Sequence, residues 1–370
     1  LKELLADENL IMALIKSEFY EIKETYGDQR RTEIIDAVDE ILPEDLISPE
    51  LMAVTVTHTG YIKRNPVSLY RSQGRGGKGV RGVTNIEEDF VSHIYVASTL
   101  DTFLFFTNYG KVFWRKVYQL PLVGRSARGK AIVNLLELTE GEKVAAILPI
   151  SSFEDDNGSK SILMITRYGR VKKTALIEFN RPLRKGKRAL TINEGDEIIA
   201  AHVLNGNDTI FMISQRGMSI HFQETDIREM GRTAAGVKGI SLKAGDFLVG
   251  ANVLEEGSEK TILTVTANGY GKRSSASDYR IQKRGGKGIL AIRPSERNGD
   301  IIGTQTVDDH QEVILIADSG KMIRMPATDM RVIGRTTQGV RLINLETGER
   351  VVGMDVVEPE PEDDEEQIIE

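Results

Sequence analysis

Two short stretches concentrate groups that bind anions. Gln282, Lys283, Arg284, Gly285, Gly286, Lys287 and Gly288 place three cations and three glycines in seven positions. Gln73, Arg75, Gly76, Gly77, Lys78 and Gly79 nearly repeat them, with Gly74 where the first cation would stand and Arg71 two residues upstream. Lysine and arginine make charge-assisted hydrogen bonds to phosphate oxygens. Glycine lets backbone N–H groups meet an anion without a Cβ in the way and permits positive φ in the turn. Such a loop holds phosphates and reads no base edges.

Cations recur in two further relations to glycine. Just after a first glycine stand Lys63 and Arg64, Arg115 and Lys116, Lys172 and Lys173, Lys272 and Arg273, and Arg324. Near a second glycine stand Arg75, Lys78 and Arg81; Arg125, Arg128 and Lys130; Arg184, Lys185, Lys187 and Arg188; Arg232 and Lys238; Lys283, Arg284 and Lys287; and Arg335 and Arg341. Repetition turns a local pair of charges into a track, expected to run around a rim, and a track suits a long phosphate backbone. No base-reading helix is apparent, so the expected partner is duplex DNA bound through its shape and deformability.

The elements that must carry these loops follow from spacing. Residues 1–41 have apolar residues at helical intervals and no proline before Pro43, so they read as a helical segment. Two prolines and an acidic run put a linker at 42–50. Beyond it, six β-branched runs each end in a turn glycine: Gly60, Gly110, Gly169, Gly217, Gly269 and Gly320, separated by 50, 59, 48, 52 and 51 residues. A second glycine follows by 19 residues in five copies (Gly79, Gly129, Gly236, Gly288, Gly339) and by 17 in the third (Gly186). Positions six and four before the turn glycine are always apolar, as a buried strand requires, and so is the position ten after it. About four short strands per copy predict an all-β array of six blades over 51–357, because a lone blade leaves faces and edges that only neighbours cover.

Charge divides the chain further. Residues 1–50 carry a net −9, the tail 358–370 carries −8, and the body 51–357 holds 43 basic against 33 acidic residues, or +10. A basic body with an acidic, disordered tail is the pattern of a polyanion binder. The tail reads equally well as a solubiliser or a regulator. Without cysteine, and with five scattered histidines, disulfides and zinc sites are excluded. No apolar run reaches membrane-spanning length and no signal peptide opens the chain, so a soluble, cytoplasmic protein is expected, and its start at Leu1 suggests a fragment. Residues 74–79 match G-x-G-x-x-G but lead into a β-like stretch, and 124–131 miss the P-loop at Ala131, so nucleotide binding is not expected. No nucleophile–histidine constellation is evident.

The two glycine-rich boxes, the six copies and "GDQRRTEI" at 27–34 together resemble the C-terminal part of bacterial DNA gyrase A subunits, as do "VYQLP" at 117–121, "NGYGKR" at 268–273 and "GRTTQGV" at 334–340. The resemblance implies a six-bladed β-pinwheel, propeller-like with blades that exchange strands, preceded by the end of the breakage-reunion region. It implies wrapping of double-stranded DNA around a basic rim, giving chirality to ATP-dependent negative supercoiling. This part would be non-catalytic and bind no cofactor. ATP and magnesium would act elsewhere, in the remainder of a heterotetramer of gyrase A and B subunits. The family's box belongs to the first blade, whereas the intact box here lies in the fifth. The corresponding domain of topoisomerase IV, and a propeller-like protein-interaction scaffold that ignores duplex DNA, are the alternatives.

Overall fold

The computed structural model describes residues 7–28, 32, 43–67, 89, 91–124, 127–154, 159–319 and 321–357. The chain divides into two compact units, Leu1–Leu46 and Ile47–Glu370. In the first, helix α1 (Glu8–Tyr26) starts at Asp7, whose carboxylate accepts the Asn9 N–H at 2.9 Å, an N-cap that satisfies one orphan donor. None of its residues is buried, and a 3₁₀ turn, Pro43–Leu46, lies near the end of the unit.

The second unit is built of strands. In chain order they are β1 (Leu51–Thr57), β2 (Tyr61–Pro66), β3 (Val91–Ser98), β4 (Thr102–Thr107), β5 (Lys111–Lys116), β6 (Lys130–Ala131), β7 (Val144–Ile150), β8 (Ser161–Thr166), β9 (Arg170–Ala175), β10 (Lys187–Arg188), β11 (Ile198–Leu204) and β12 (Asp208–Ser214). There follow β13 (Met218–Gln223), β14 (Val237–Lys238), β15 (Leu248–Glu255), β16 (Thr261–Thr266), β17 (Tyr270–Ser275), β18 (Ile289–Leu290), β19 (Ile301–Val307), β20 (Glu312–Ala317), β21 (Met322–Pro326), β22 (Val340–Arg341) and β23 (Val351–Val357). They form six antiparallel sheets, one per sequence copy. Blade 1 has the order β3-β1-β2-β6, and blades 2 to 5 repeat it as β7-β4-β5-β10, β11-β8-β9-β14, β15-β12-β13-β18 and β19-β16-β17-β22.

The outermost two-residue strand of each of these blades therefore comes from the next copy, so neighbours are interlocked by backbone hydrogen bonds as well as packed. Blade 6 is β23-β20-β21, three strands among the described residues.

The first strand of each blade is sandwiched between neighbours, which is why it reads as a continuous apolar run. In β4, Leu104 and Phe106 join the core shared with blade 3, while Phe103 and Phe105 join the core shared with blade 1. Equivalent cores lie between blades 3 and 4, 4 and 5, and 5 and 6. The position ten after the turn glycine is buried as expected at Leu120, Phe179, Ile227, Tyr279 and Met330; Tyr70 lies outside the described residues. Full burial of such a side chain is worth about 1.5–3 kcal/mol. The junction of blades 6 and 1 is polar where it is described, with Asp355 Oδ2 of β23 3.8 Å from His93 Nδ1 of β3. The innermost strands of blades 6 and 1 thus come together.

Candidate nucleic-acid interface

The second-glycine register is a backbone crossing. At Gly236 and Gly339, with φ +75° and +82°, an added Cβ would come within 2.6 Å of the carbonyl oxygens of Val171 and Gly271 in the preceding blade. Gly129 meets Ile62 O in the same way at 2.5 Å, and Gly288 is driven against Ser219 O. Only glycine lets the chain pass so close, with φ in the left-handed region, and then enter the neighbour's sheet as its outermost strand.

Exposed cations recur on that strand and on the loop leading into it. Lys130, Arg188, Lys238 and Arg341 are exposed on the outermost strands, and Lys185 and Lys287 on the loops. Arg184 has a side chain 86 % exposed, although it pairs with Glu137 at 2.7 Å; exposed ion pairs are weak and exchange readily for phosphate. Arg128 stacks 3.9 Å above the Tyr61 ring and reaches Asp89 at 3.3 Å. Lys187 lies 5.8 Å from the Trp114 ring and donates to Arg181 O.

The box in copy five is a turn pinned by hydrogen bonds to the preceding copy. Gly285 N–H donates to Gly239 O at 2.5 Å, Ser241 Oγ and Ser241 N–H donate to Gly285 O and Gly286 O at 2.8 Å each, and Gln282 N–H donates to His221 O at 2.8 Å. Arg284 turns inward, donating to Asp226 O at 2.8 Å and Lys238 O at 3.0 Å. Lys283 remains 90 % exposed while touching Asp226 at 2.7 Å.

Most cations just after the first glycine turn inward, which corrects the expectation from their repetition; Arg324 alone among them is exposed. Lys63, Lys172, Lys272 and Arg273 are at most 2 % exposed. Lys63 Nζ donates to Ala127 O at 2.9 Å. Lys172 Nζ donates to Ala189 O at 2.6 Å and Arg232 O at 2.5 Å, and Lys272 Nζ donates to Gly334 O at 3.2 Å and to Arg335 O. Burial pulls both ammonium groups down to about 8, helped by Arg232 beside Lys172 and by Arg335 beside Lys272. Arg64 donates to Leu120 O at 2.9 Å and Tyr118 O at 3.1 Å, Arg115 to Leu135 O, and Lys116 to Leu100 O at 2.9 Å. Lys173 pairs with Glu224 at 2.7 Å, and Arg324 with Glu312. Lys63, Arg64, Lys172, Lys272 and Arg273 latch one blade to carbonyls of the next copy, whereas Lys173 reaches a carboxylate of the next copy and Arg324 pairs within blade 6. For the buried members of the series the repeated job is structural.

That latch was not anticipated where its donor is uncharged. Trp114 Nε1 donates to Phe179 O at 2.8 Å and His221 Nδ1 donates to Tyr279 O at 2.8 Å, at the same register as Arg64 on Leu120. The signal was present: each donor stands four after its turn glycine, and each acceptor ten after the next. A second overlooked signal is an arginine fifteen after every turn glycine, at 75, 125, 184, 232, 284 and 335. Arg71, Gln73, Arg75, Gly76, Gly77, Lys78, Gly79, Arg81 and Arg125 lie outside the described residues.

His221 also carries a pH prediction. Its Nε2 lies 2.8 Å from Thr209 Oγ1, and burial lowers its pKa below the ordinary 6.5, against the opposing Tyr279 carbonyl. The folded state therefore binds fewer protons than the unfolded one, and the stability His221 contributes above pH 6.5 is lost as pH falls toward its folded value. The melting temperature should fall between about pH 7.5 and about pH 5.5, and by less in His221→Asn. Equal falls would refute the assignment.

Among the described residues no cluster of three or more metal-ligating side chains occurs, and no helix is long and apolar enough to cross a membrane. The geometry defines a six-bladed, strand-exchanging β-propeller with cations on its outermost strands. Residues 52–98, 101–151, 160–205, 208–255, 260–308 and 311–358, one segment per blade, match the family model described as DNA gyrase C-terminal domain, beta-propeller. The chain belongs to the DNA gyrase A C-terminal domain family.

It is 44 % identical over 356 residues to the DNA gyrase A subunit of Salmonella typhimurium, covering 96 % of this chain and 40 % of that protein. It is 42 % identical over 352 residues to that of Staphylococcus epidermidis, covering 95 % and 39 %. The chain thus spans about two fifths of the length of these relatives. The solved C-terminal domain of DNA topoisomerase IV superposes with TM-score 0.74 at 24 % identity, covering 86 % of this chain and 96 % of that one. A DNA gyrase A C-terminal domain gives 0.63 at 24 %, covering 83 % and 100 %. Both likenesses concern the fold.

Proposed function

We propose that the chain binds duplex DNA without sequence specificity and bends it around the cationic outer strands. Within a cytoplasmic gyrase heterotetramer of A and B subunits, this wrapping would give chirality to ATP-dependent negative supercoiling. The carrying observation is that exposed cations recur on the outermost strand, or the loop entering it, in copy after copy. A phosphate backbone laid along that edge meets a new cation at each blade, so the contacts offset the cost of bending. Gate chemistry and ATP hydrolysis, with its magnesium, are assigned to parts of the enzyme beyond this chain.

The salt dependence of binding tests the track. With one or two phosphates neutralised per blade, log K against log salt should fall with a slope of about −5 to −10, and a slope near −2 sinks a multi-blade track. In box five, Lys283→Ala with Lys287→Ala should reduce the slope by about 2 and weaken binding uniformly across sequences. The box at 73–79 is proposed to grip DNA as well, through Arg71, Arg75 and Lys78. Alanine replacement of each box, read by supercoiling in the full enzyme, decides between them. No affinity for duplex DNA at low salt would instead favour the interaction scaffold.

A further inference from the structure

Two loops of like sequence hold their backbone in an unusual way. In Gly231-Arg232-Thr233-Ala234-Ala235-Gly236, five successive carbonyls accept donors of the preceding copy. Arg232 O accepts Lys172 Nζ at 2.5 Å, Thr233 O accepts Thr191 Oγ1 at 2.6 Å, and Ala234 O accepts Thr191 N–H at 3.3 Å. Ala235 O and Gly236 O accept the Arg170 guanidinium at 2.8 and 2.6 Å. A trans peptide sets its N–H opposite its carbonyl, so the N–H groups of residues 233–236 turn the other way. That of Ala234 closes a turn on Gly231 O at 3.1 Å. Among the described residues those of Thr233, Ala235 and Gly236 meet no acceptor.

Residues 334–339, Gly-Arg-Thr-Thr-Gln-Gly, follow the same plan. Lys272 Nζ takes Gly334 O and Arg335 O, Asn298 Nδ2 takes Gln338 O at 3.2 Å, and Thr337 N–H closes the turn on Gly334 O at 3.3 Å.

Charge supports the same reading. Lys172 and Lys272 are fully buried, and among the described residues neither makes an ion pair. Without an ion-pair partner, each ammonium sits on the carbonyl side of its loop, and a positive charge beneath N–H groups that face the other way is the electrostatics of an anion nest. Box five is built differently: its Gly285 N–H points inward to Gly239 O and it offers ammonium groups instead.

We propose that the loops 231–236 and 334–339 are phosphodiester seats made of backbone N–H groups, with Lys172 and Lys272 as positioning residues that charge them from beneath. This rests on the DNA-binding reading above and deepens it: ammonium grips and backbone seats would alternate along the wrapped duplex. A phosphate above the loop favours the charged form of the lysine below, so DNA binding should take up protons. The charged groups nearby are Arg170, Arg232, Glu178 and Lys187 around Lys172, and Arg335 and Asp278 around Lys272.

Calorimetric titration of the chain with a short linear duplex, in buffers of different ionisation enthalpy, tests this. With both lysines near 8, uptake at that pH should approach about one proton per chain, and affinity should fall as pH rises further. Lys172→Met with Lys272→Met should abolish the uptake and weaken binding about tenfold or more at neutral pH. Wild-type binding whose heat does not depend on buffer overturns the seats, whether or not the variant folds. So does a folded double variant with unchanged affinity and uptake. A wild-type chain that binds no duplex overturns the DNA reading and the seats together.

Discussion

Replacing Gly288 by alanine should destabilise the ring by about 2–4 kcal/mol, the sum of a forced left-handed residue and an overpacked contact. Gly288 has φ +74°, and the new Cβ would be driven into the Ser219 carbonyl oxygen of β13. Relief requires the chain to withdraw from that strand, which removes β18 from blade 4 and with it the pairing of Met218 with Leu290 and Ser219 with Ile289. The box just upstream would lose its fixed base. The variant should therefore show both a lowered unfolding midpoint and weakened DNA binding. Gly286→Ala, whose added Cβ meets nothing nearer than 3.7 Å, should show neither. If Gly288→Ala melts like the wild type, the close backbone crossing is not as tight as described.

Arg273→Met should cost about 2–4 kcal/mol and loosen blade 6 in particular. The guanidinium is 2 % exposed and donates to Thr261 Oγ1 at 2.9 Å, to Ala327 O at 2.8 Å and to Asp309 at 2.5 Å. Methionine fills much of the volume but supplies no donors, so the Ala327 carbonyl keeps only the Met330 N–H and the Thr261 hydroxyl only the Val307 carbonyl. Hydrogen exchange should report the change first at the 3₁₀ turn Ala327–Asp329 and in β21, with blades 1 to 4 protected as before. Uniform loss of protection would show that the ring melts as one unit and that the latch has no local role. Because the same guanidinium looked like a rim cation in sequence, its duplex affinity offers a second check. A folded variant should keep the wild-type salt slope, since Arg273 neutralises no phosphate.

Arg273 shows where sequence stops being sufficient. Its neighbours Lys283 and Lys287 have the same chemistry and a similar repeat relation to glycine, yet they face solvent while Arg273 does not. The periodic apolar positions, such as Leu104 and Phe106, could be assigned to the core because an alternating strand leaves them nowhere else to go. The second glycines could be recognised as a register, although that Gly236 and Gly339 cross a neighbour's backbone required the neighbour. Trp114, His221 and Arg64 share a latch that no common chemistry announced, only a common offset from glycine.

The six copies, their buried strand faces, the glycine registers and the basic loops all follow from local rules of spacing and side-chain type, so the amino-acid sequence by itself determined them. Which cations are exposed, which strand closes each blade and which way a loop turns its carbonyls were decided by the tertiary structure alone. The physical reason is distance along the chain: Lys172 is buried because Arg232 O, 60 residues later, is brought above it, and a lone lysine without that carbonyl would have remained in water.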